Sequence, residues 1–130
     1  MSASMSDMPK PFGAADATKP ISSAQESQPV CVLVRASARP DQIEQAMIAL
    51  MRIAGPIRAN PDCLEFRVYQ VRDDPRSFIL LEQWISEEAL SDHQKLGYMA
   101  EYMAQKDKIF ERLGGDFLRE VHPGDLALNE

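Results

Sequence analysis

No stretch of this sequence offers the roughly 20 consecutive apolar residues that a helix needs to cross a bilayer, so a soluble protein with no membrane partner is expected. Basic residues are scarce: fourteen Lys and Arg stand against twenty Asp and Glu, for a net charge of −6. They form no stripe interleaved with aromatics, and nucleic acid is not an expected partner. The only two cysteines, Cys31 and Cys63, lie in separate apolar segments without C-x-x-C spacing. They read as small buried hydrophobes, with a disulfide or metal pair as the alternative, and suit a reducing cytoplasm. A G-x-G-x-x-G motif, a P-loop, a G-x-S-x-G elbow and a His/Cys/Asp cluster at metal-ligand spacing are all missing, which removes the usual sequence support for dinucleotide, nucleotide and metal chemistry.

What is there fits one domain: 130 residues, 45% hydrophobic and 26% charged, enough for a single core. Residues 1–29 carry no basic region followed by an apolar one, and so do not read as a signal peptide. With Phe12 and Ile21 as their only branched or aromatic apolar side chains, they bury too little to offset the cost of ordering the backbone. The expectation is a disordered tail over 1–29, a domain over 30–121 and a C-terminal extension over 122–130.

Val30 to Ala36 is β-branched and almost unbroken in apolarity, the mark of a strand covered on both faces. After Pro40-Asp41, apolar residues at Ile43, Met47, Leu50, Ala54 and Ile57 follow helical spacing, with Pro40 suited to a first turn. Pro56 predicts a kink rather than a stop, because Ile57 stays in phase. Cys63 to Arg72 alternates as a second strand, Asp73-Asp74-Pro75-Arg76 reads as a hairpin turn, and Ser77 to Ile85 as a third strand. Ser86 is a candidate N-cap, with Glu87 and Glu88 where the helix dipole favours anions and Ile85 placed to staple onto Leu90. Gly97 interrupts that helix. Tyr98, Met99, Tyr102, Met103, Ile109, Phe110 and Leu113 then mark another, ended by Gly114-Gly115, before a last strand from Asp116 to Val121. The order is β-α-β-β-α-β, the ferredoxin-like α+β arrangement. Its helices cover one sheet face, and strands one and three are too apolar for the other to stay wet, so a homodimer through the sheet faces is expected.

The period of two puts Phe78, Leu80, Glu82 and Trp84 on one face of the third strand. Glu82 either meets an arginine such as Arg67 or Arg35, with Trp84 filling the core, or belongs with Trp84 to a ligand site. His93 follows Leu90 by three residues and turns toward the sheet, where it can face Trp84 as a core residue or as a base. His122, before Pro123-Gly124, reads as loop. Met47, Met51, Met99 and Met103 read as deformable core filler rather than a cofactor box.

The run Asn60-Pro61-Asp62-Cys63-Leu64-Glu65-Phe66, then Asp74-Pro75, Phe78-x-Leu80-x-Glu82-x-Trp84 and Ser86-x-Glu88-Ala89-Leu90-x-x-His93 resembles the antibiotic biosynthesis monooxygenase domain family, which includes quinol monooxygenases. The resemblance extends from Val32 to Val121. Asp62 stands where the family commonly has Gly, and Phe66 where Tyr is common, which implies a differently built turn before strand two. The family implies a dimeric α+β barrel with a pocket between sheet and helices in each subunit. It also implies oxidation of a quinol or polyphenolic substrate by O2 with no metal, flavin or other cofactor. On that resemblance His93 and Glu82 are the expected catalytic residues, His93 as base, and Trp84, Phe66, Arg35 and Tyr102 the expected substrate-binding set, Trp84 as stacking wall. A haem-degrading branch carries an asparagine on the first strand and a histidine on the last helix; Val34, Arg35 and Met103 stand near those places, so haem degradation is not implied. Isomerases of small signalling molecules and non-catalytic ligand-binding or stress-response dimers share the fold and remain alternatives.

Overall fold

The computed structural model describes residues 28–127, so the tail expected over 1–29 lies almost wholly outside the described residues. The elements are β1 (Val30–Ala38), α1 (Ile43–Ala59), β2 (Cys63–Val71), β3 (Asp74–Trp84), α2 (Glu87–His93), a 3-10 turn (Gly97–Met99), α3 (Ala100–Ile109), β4 (Phe110–Leu118) and a short α4 (Pro123–Ala127). The four strands form one sheet in the order β2-β3-β1-β4, every neighbouring pair antiparallel. This is the ferredoxin-like arrangement of two split βαβ halves.

Alternation sorts the two sheet faces. Val32, Val34, Ala36 and Ala38 of β1 are buried with Phe78, Leu80, Glu82 and Trp84 of β3 beneath the helices. Cys31, Leu33, Ile79 and Leu81 point to the helix-free face, where Leu33 pairs with Leu81, and are only half-buried. α1 continues through Pro56 and keeps Ile57 in the core, with Ala46, Leu50, Ile53 and Ala54 completing its buried stripe. That stripe is rotated from the one expected: Met47 and Met51 are 38% and 47% exposed and fill no core, whereas Met99 is buried. Ala46 and Ile53 lie on the line through Leu50, Ala54 and Ile57 that faces the sheet, and the two methionines flank it.

Two boundaries differ from expectation. The hairpin turn is Arg72-Asp73, with Val71 paired to Asp74, so Asp74, Pro75 and Arg76 already belong to β3. Pro75 is accommodated near the strand's start. More consequentially, the last helix ends at Ile109, and β4 runs from Phe110 to Leu118 rather than from Asp116 to Val121. Gly114 and Gly115 stop no helix; they lie mid-strand opposite Arg35 and Val34. A ladder along β1 outweighs the local helical pattern of Phe110 and Leu113.

Ser86 caps α2 as expected, its hydroxyl accepting from the Ala89 N–H. Because α2 has only seven residues, the cap is a large share of what holds it. Ser86→Ala should destabilise the protein by about 1 kcal/mol, read as a lower midpoint at unchanged slope in urea unfolding.

Candidate active site

Glu82 sits where β3 passes beneath the helices, in the buried row with Leu80 and Trp84, and is 4% exposed. Its partner is Trp84, whose indole Nε1–H donates to Glu82 Oε1 over 2.9 Å. Neither arginine suggested by the sequence reaches it. Arg67 pairs with Glu65, and Arg35 with Asp116 at 2.8 Å, both on the helix-free face. A carboxyl taken out of water without a cation favours its neutral form. Burial therefore pushes Glu82 up to about 7, against the smaller opposing effect of the Trp84 hydrogen bond.

His93, the last residue of α2, is buried, and its ring stacks on Trp84 with centroids 4.2 Å apart and planes at 27°. Its Nδ1 lies 3.1 Å from the Tyr98 hydroxyl, whose oxygen accepts from Asn60 Nδ2–H over 3.1 Å. The Asn60 bond takes up one lone pair of the Tyr98 oxygen and leaves its O–H able to donate to Nδ1 of a neutral imidazole. Burial pulls His93 down to about 4, so at neutral pH it is an uncharged ring and a weak base.

Phe66 pairs with Glu82 across the β2–β3 ladder and is buried on the same face, as is Tyr102 of α3. The Tyr102 hydroxyl is enclosed without a hydrogen-bond partner among the described residues. Burial, then the nearby Glu82 and Asp107 charges, push it well above the ordinary phenol range. Five of the six residues singled out from the sequence, namely Glu82, Trp84, His93, Phe66 and Tyr102, are thus on the helix-covered side, while Arg35 is on the other.

Tyr98 and Asn60, which hold His93, were not among the expected site residues. The signal for both lay in breaks: Gly97 ends one helical run immediately before Tyr98, and Asn60 opens the turn after α1. Tyr98 and Tyr102 also line a cleft of about 110 Å3 between α1 and the α3 segment, together with Ala49, Arg52, Ile53, Glu101 and Gln105. Among the described residues no group of three His, Cys, Asp or Glu is placed to hold a metal ion, and no helix is long and apolar enough to cross a membrane.

Comparison with known proteins places this arrangement. The profile described as antibiotic biosynthesis monooxygenase matches residues 29–105. The chain belongs to the antibiotic biosynthesis monooxygenase family. Among solved structures similar to it are PA3566 of Pseudomonas aeruginosa, at 25% identity and a TM-score of 0.69 over 75% of this chain and 98% of that one, and Rv0793 of Mycobacterium tuberculosis, at 26% and 0.67 over 73% and 97%. A third, named an antibiotic biosynthesis monooxygenase, shares the fold at 17% identity and a TM-score of 0.66, over 72% of this chain and 99% of that one. An uncharacterised Synechocystis protein, sll1783, is 23% identical over 84 residues; these are 65% of this chain and 57% of that relative.

In this family member two buried ionisable groups, Glu82 and His93, pull stability in opposite directions. Glu82 is raised, from 4.5 to about 7, so the folded state holds its proton longer than the unfolded chain, and stability is lost as pH rises across that interval. His93 is lowered, from 6.5 to about 4, so its contribution is complete above pH 6.5 and is lost as pH falls toward 4. The two slopes largely cancel where they overlap. Urea unfolding of Glu82→Gln should show stability climbing with pH through that window, and His93→Phe should show it falling; a shared slope in both variants contradicts the assignment.

Proposed function

We propose that the protein is a cofactor-independent monooxygenase that oxidises a quinol or polyphenolic aromatic with O2, the substrate itself supplying the electrons. The observation that carries this reading is Glu82: a buried carboxyl with no cation beside it among the described residues, pushed up by burial to about 7, and hydrogen-bonded to a tryptophan that is itself stacked on an imidazole. Family membership supports the same class of reaction.

An unperturbed phenol ionises at about 10, and its anion gives up electrons to O2 far more readily than the neutral form. A base matched to ambient pH makes that anion most efficiently. The resemblance suggests His93 for this task, but with its value near 4 and Nδ1 engaged by Tyr98, proton acceptance falls to Glu82. His93 becomes the second face of the Trp84 stack, held by Tyr98. Phe66 and Tyr102 complete the wall around the ring. For a 1,4-dihydroxybenzene the balance is one quinol and one O2 giving one hydroxyquinone and one water. One oxygen atom enters the ring as a hydroxyl, and the other leaves as water with the two hydrogens released when the ring becomes a quinone.

In oxygen-electrode assays on a quinol panel, Glu82→Gln should lower kcat by on the order of 10²-fold and flatten a pH profile that otherwise rises through about 7. It should remain folded, since glutamine keeps an acceptor for the Trp84 N–H. Full activity in that variant, or no oxygen uptake by the wild type on any quinol, contradicts the reading.

We propose in addition that a second copy covers the helix-free sheet face, because Leu33, Ile79 and Leu81 line it and stay half-buried in one chain. Sedimentation at micromolar concentration should give twice the 14.6 kDa of a single chain, and Leu81→Arg should return it to one chain.

A further inference from the structure

The ring cluster around Glu82 is closed, with Trp84 and His93 at 0% and 3% exposure, so a substrate needs a way in. Tyr98 and Tyr102 are shared by that cluster and the cleft between α1 and α3. Tyr98 touches His93 through its hydroxyl, and Tyr102 carries a buried hydroxyl with no hydrogen-bond partner among the described residues. An enclosed, unpartnered hydroxyl is costly, and it is satisfied when a ligand brings a polar atom to it.

Three polar side chains on the cleft lining are joined to one another. Arg52 Nη1 of α1 reaches Glu101 Oε2 of α3 at 3.4 Å, both side chains about two-thirds exposed, and Gln105 Nε2–H donates to the same oxygen over 3.3 Å. The Arg52–Glu101 pair therefore ties the two helices across the outer part of the cleft. A pair this exposed and this long contributes little to stability and separates readily.

Resting on the monooxygenase reading, we infer that this cleft is the passage to the ring cluster, and that Arg52, Glu101 and Gln105 set its specificity. The passage takes a substrate with one hydroxylated aromatic ring and rejects fused rings. Size decides the class. At about 110 Å3 the space falls somewhat short of the roughly 150 Å3 of an apolar cavity that takes up benzene. The closed cleft is therefore nearer in size to one ring than to two, and the ion pair must swing aside for a ring to enter. The ring's own hydroxyls replace the hydrogen bonds given up by Glu101 and Gln105, and an inner hydroxyl meets Tyr102.

The experiment uses the full chain without oxygen, so that binding is read apart from turnover, and follows the fluorescence of Trp84, the only tryptophan. 1,4-Dihydroxybenzene should quench it saturably, and 1,4-dihydroxynaphthalene on the order of tenfold more weakly. Ala49→Phe, which fills the cleft, and Gln105→Phe, at an exposed position of α3, should each weaken binding of the single ring on the order of tenfold while melting cooperatively. Arg52→Ala combined with Glu101→Gln should narrow the gap between the two ligands. The inference is overturned if the fused ring binds the wild type as tightly, if a folded plugged variant binds unchanged, or if neither quinol is bound at all. Saturable binding with no oxygen uptake in air would sink the monooxygenase reading and leave the passage standing. Oxygen uptake that both plugged variants retain in full would sink the passage and leave that reading.

Discussion

The candidate site depends on one constraint: a strand whose side chains alternate with a period of two must send Glu82 to the same side as Phe78, Leu80 and Trp84, and that side is roofed by helices. The carboxyl cannot turn toward water without taking its apolar neighbours with it. Arg67 and Arg35 sit one step out of phase on neighbouring strands, so the same alternation denies it a cation. What remains is a neutral donor, the Trp84 indole, and a carboxyl that titrates near neutrality instead of at the usual acidic value.

Trp84 links this strand to the helices. Its indole edge bonds Glu82 and its face stacks on His93, while Tyr98 and Asn60 fix the far side of the imidazole. Four separate stretches of chain, the end of β3, the end of α2, the 3-10 turn and the turn after α1, thereby meet in one row of polar contacts that runs into the core. A row of this kind is firm only when every member is satisfied. The Tyr102 hydroxyl stands outside that row, with no hydrogen-bond partner among the described residues.

Much of this was legible in the sequence because it rests on periodicity. The alternation of β3, the Ser86 cap and the inward turn of His93 three residues beyond Leu90 each follow from local geometry, and the Trp84–His93 stack joins two elements that are close in the chain. What was not legible depended on pairing between distant segments. Gly114 and Gly115 look like a helix stop until β1 is seen to pair along them. The Arg35–Asp116 pair follows from the register of β1 against β4, and Tyr98 gains its role only when the turn holding Asn60 comes up against it.

The junction of α3 and β4 bears on how the molecule moves. Ile109 closes the helix and Phe110 begins the strand, with no residue of slack between them. The Ile109 carbonyl accepts from the Arg39 N–H at 2.9 Å, and the Arg39 guanidinium donates to the Asp107 carbonyl at 2.8 Å. A helix welded to a strand in this way cannot tilt unless a sheet edge shears with it. Widening between α1 and α3 is then left to the rotamers of Arg52, Glu101 and Gln105, which exchange in picoseconds to nanoseconds. A cleft in such a frame changes width at the pace of side-chain rotation, without the slower hinge motions on which lidded enzymes depend.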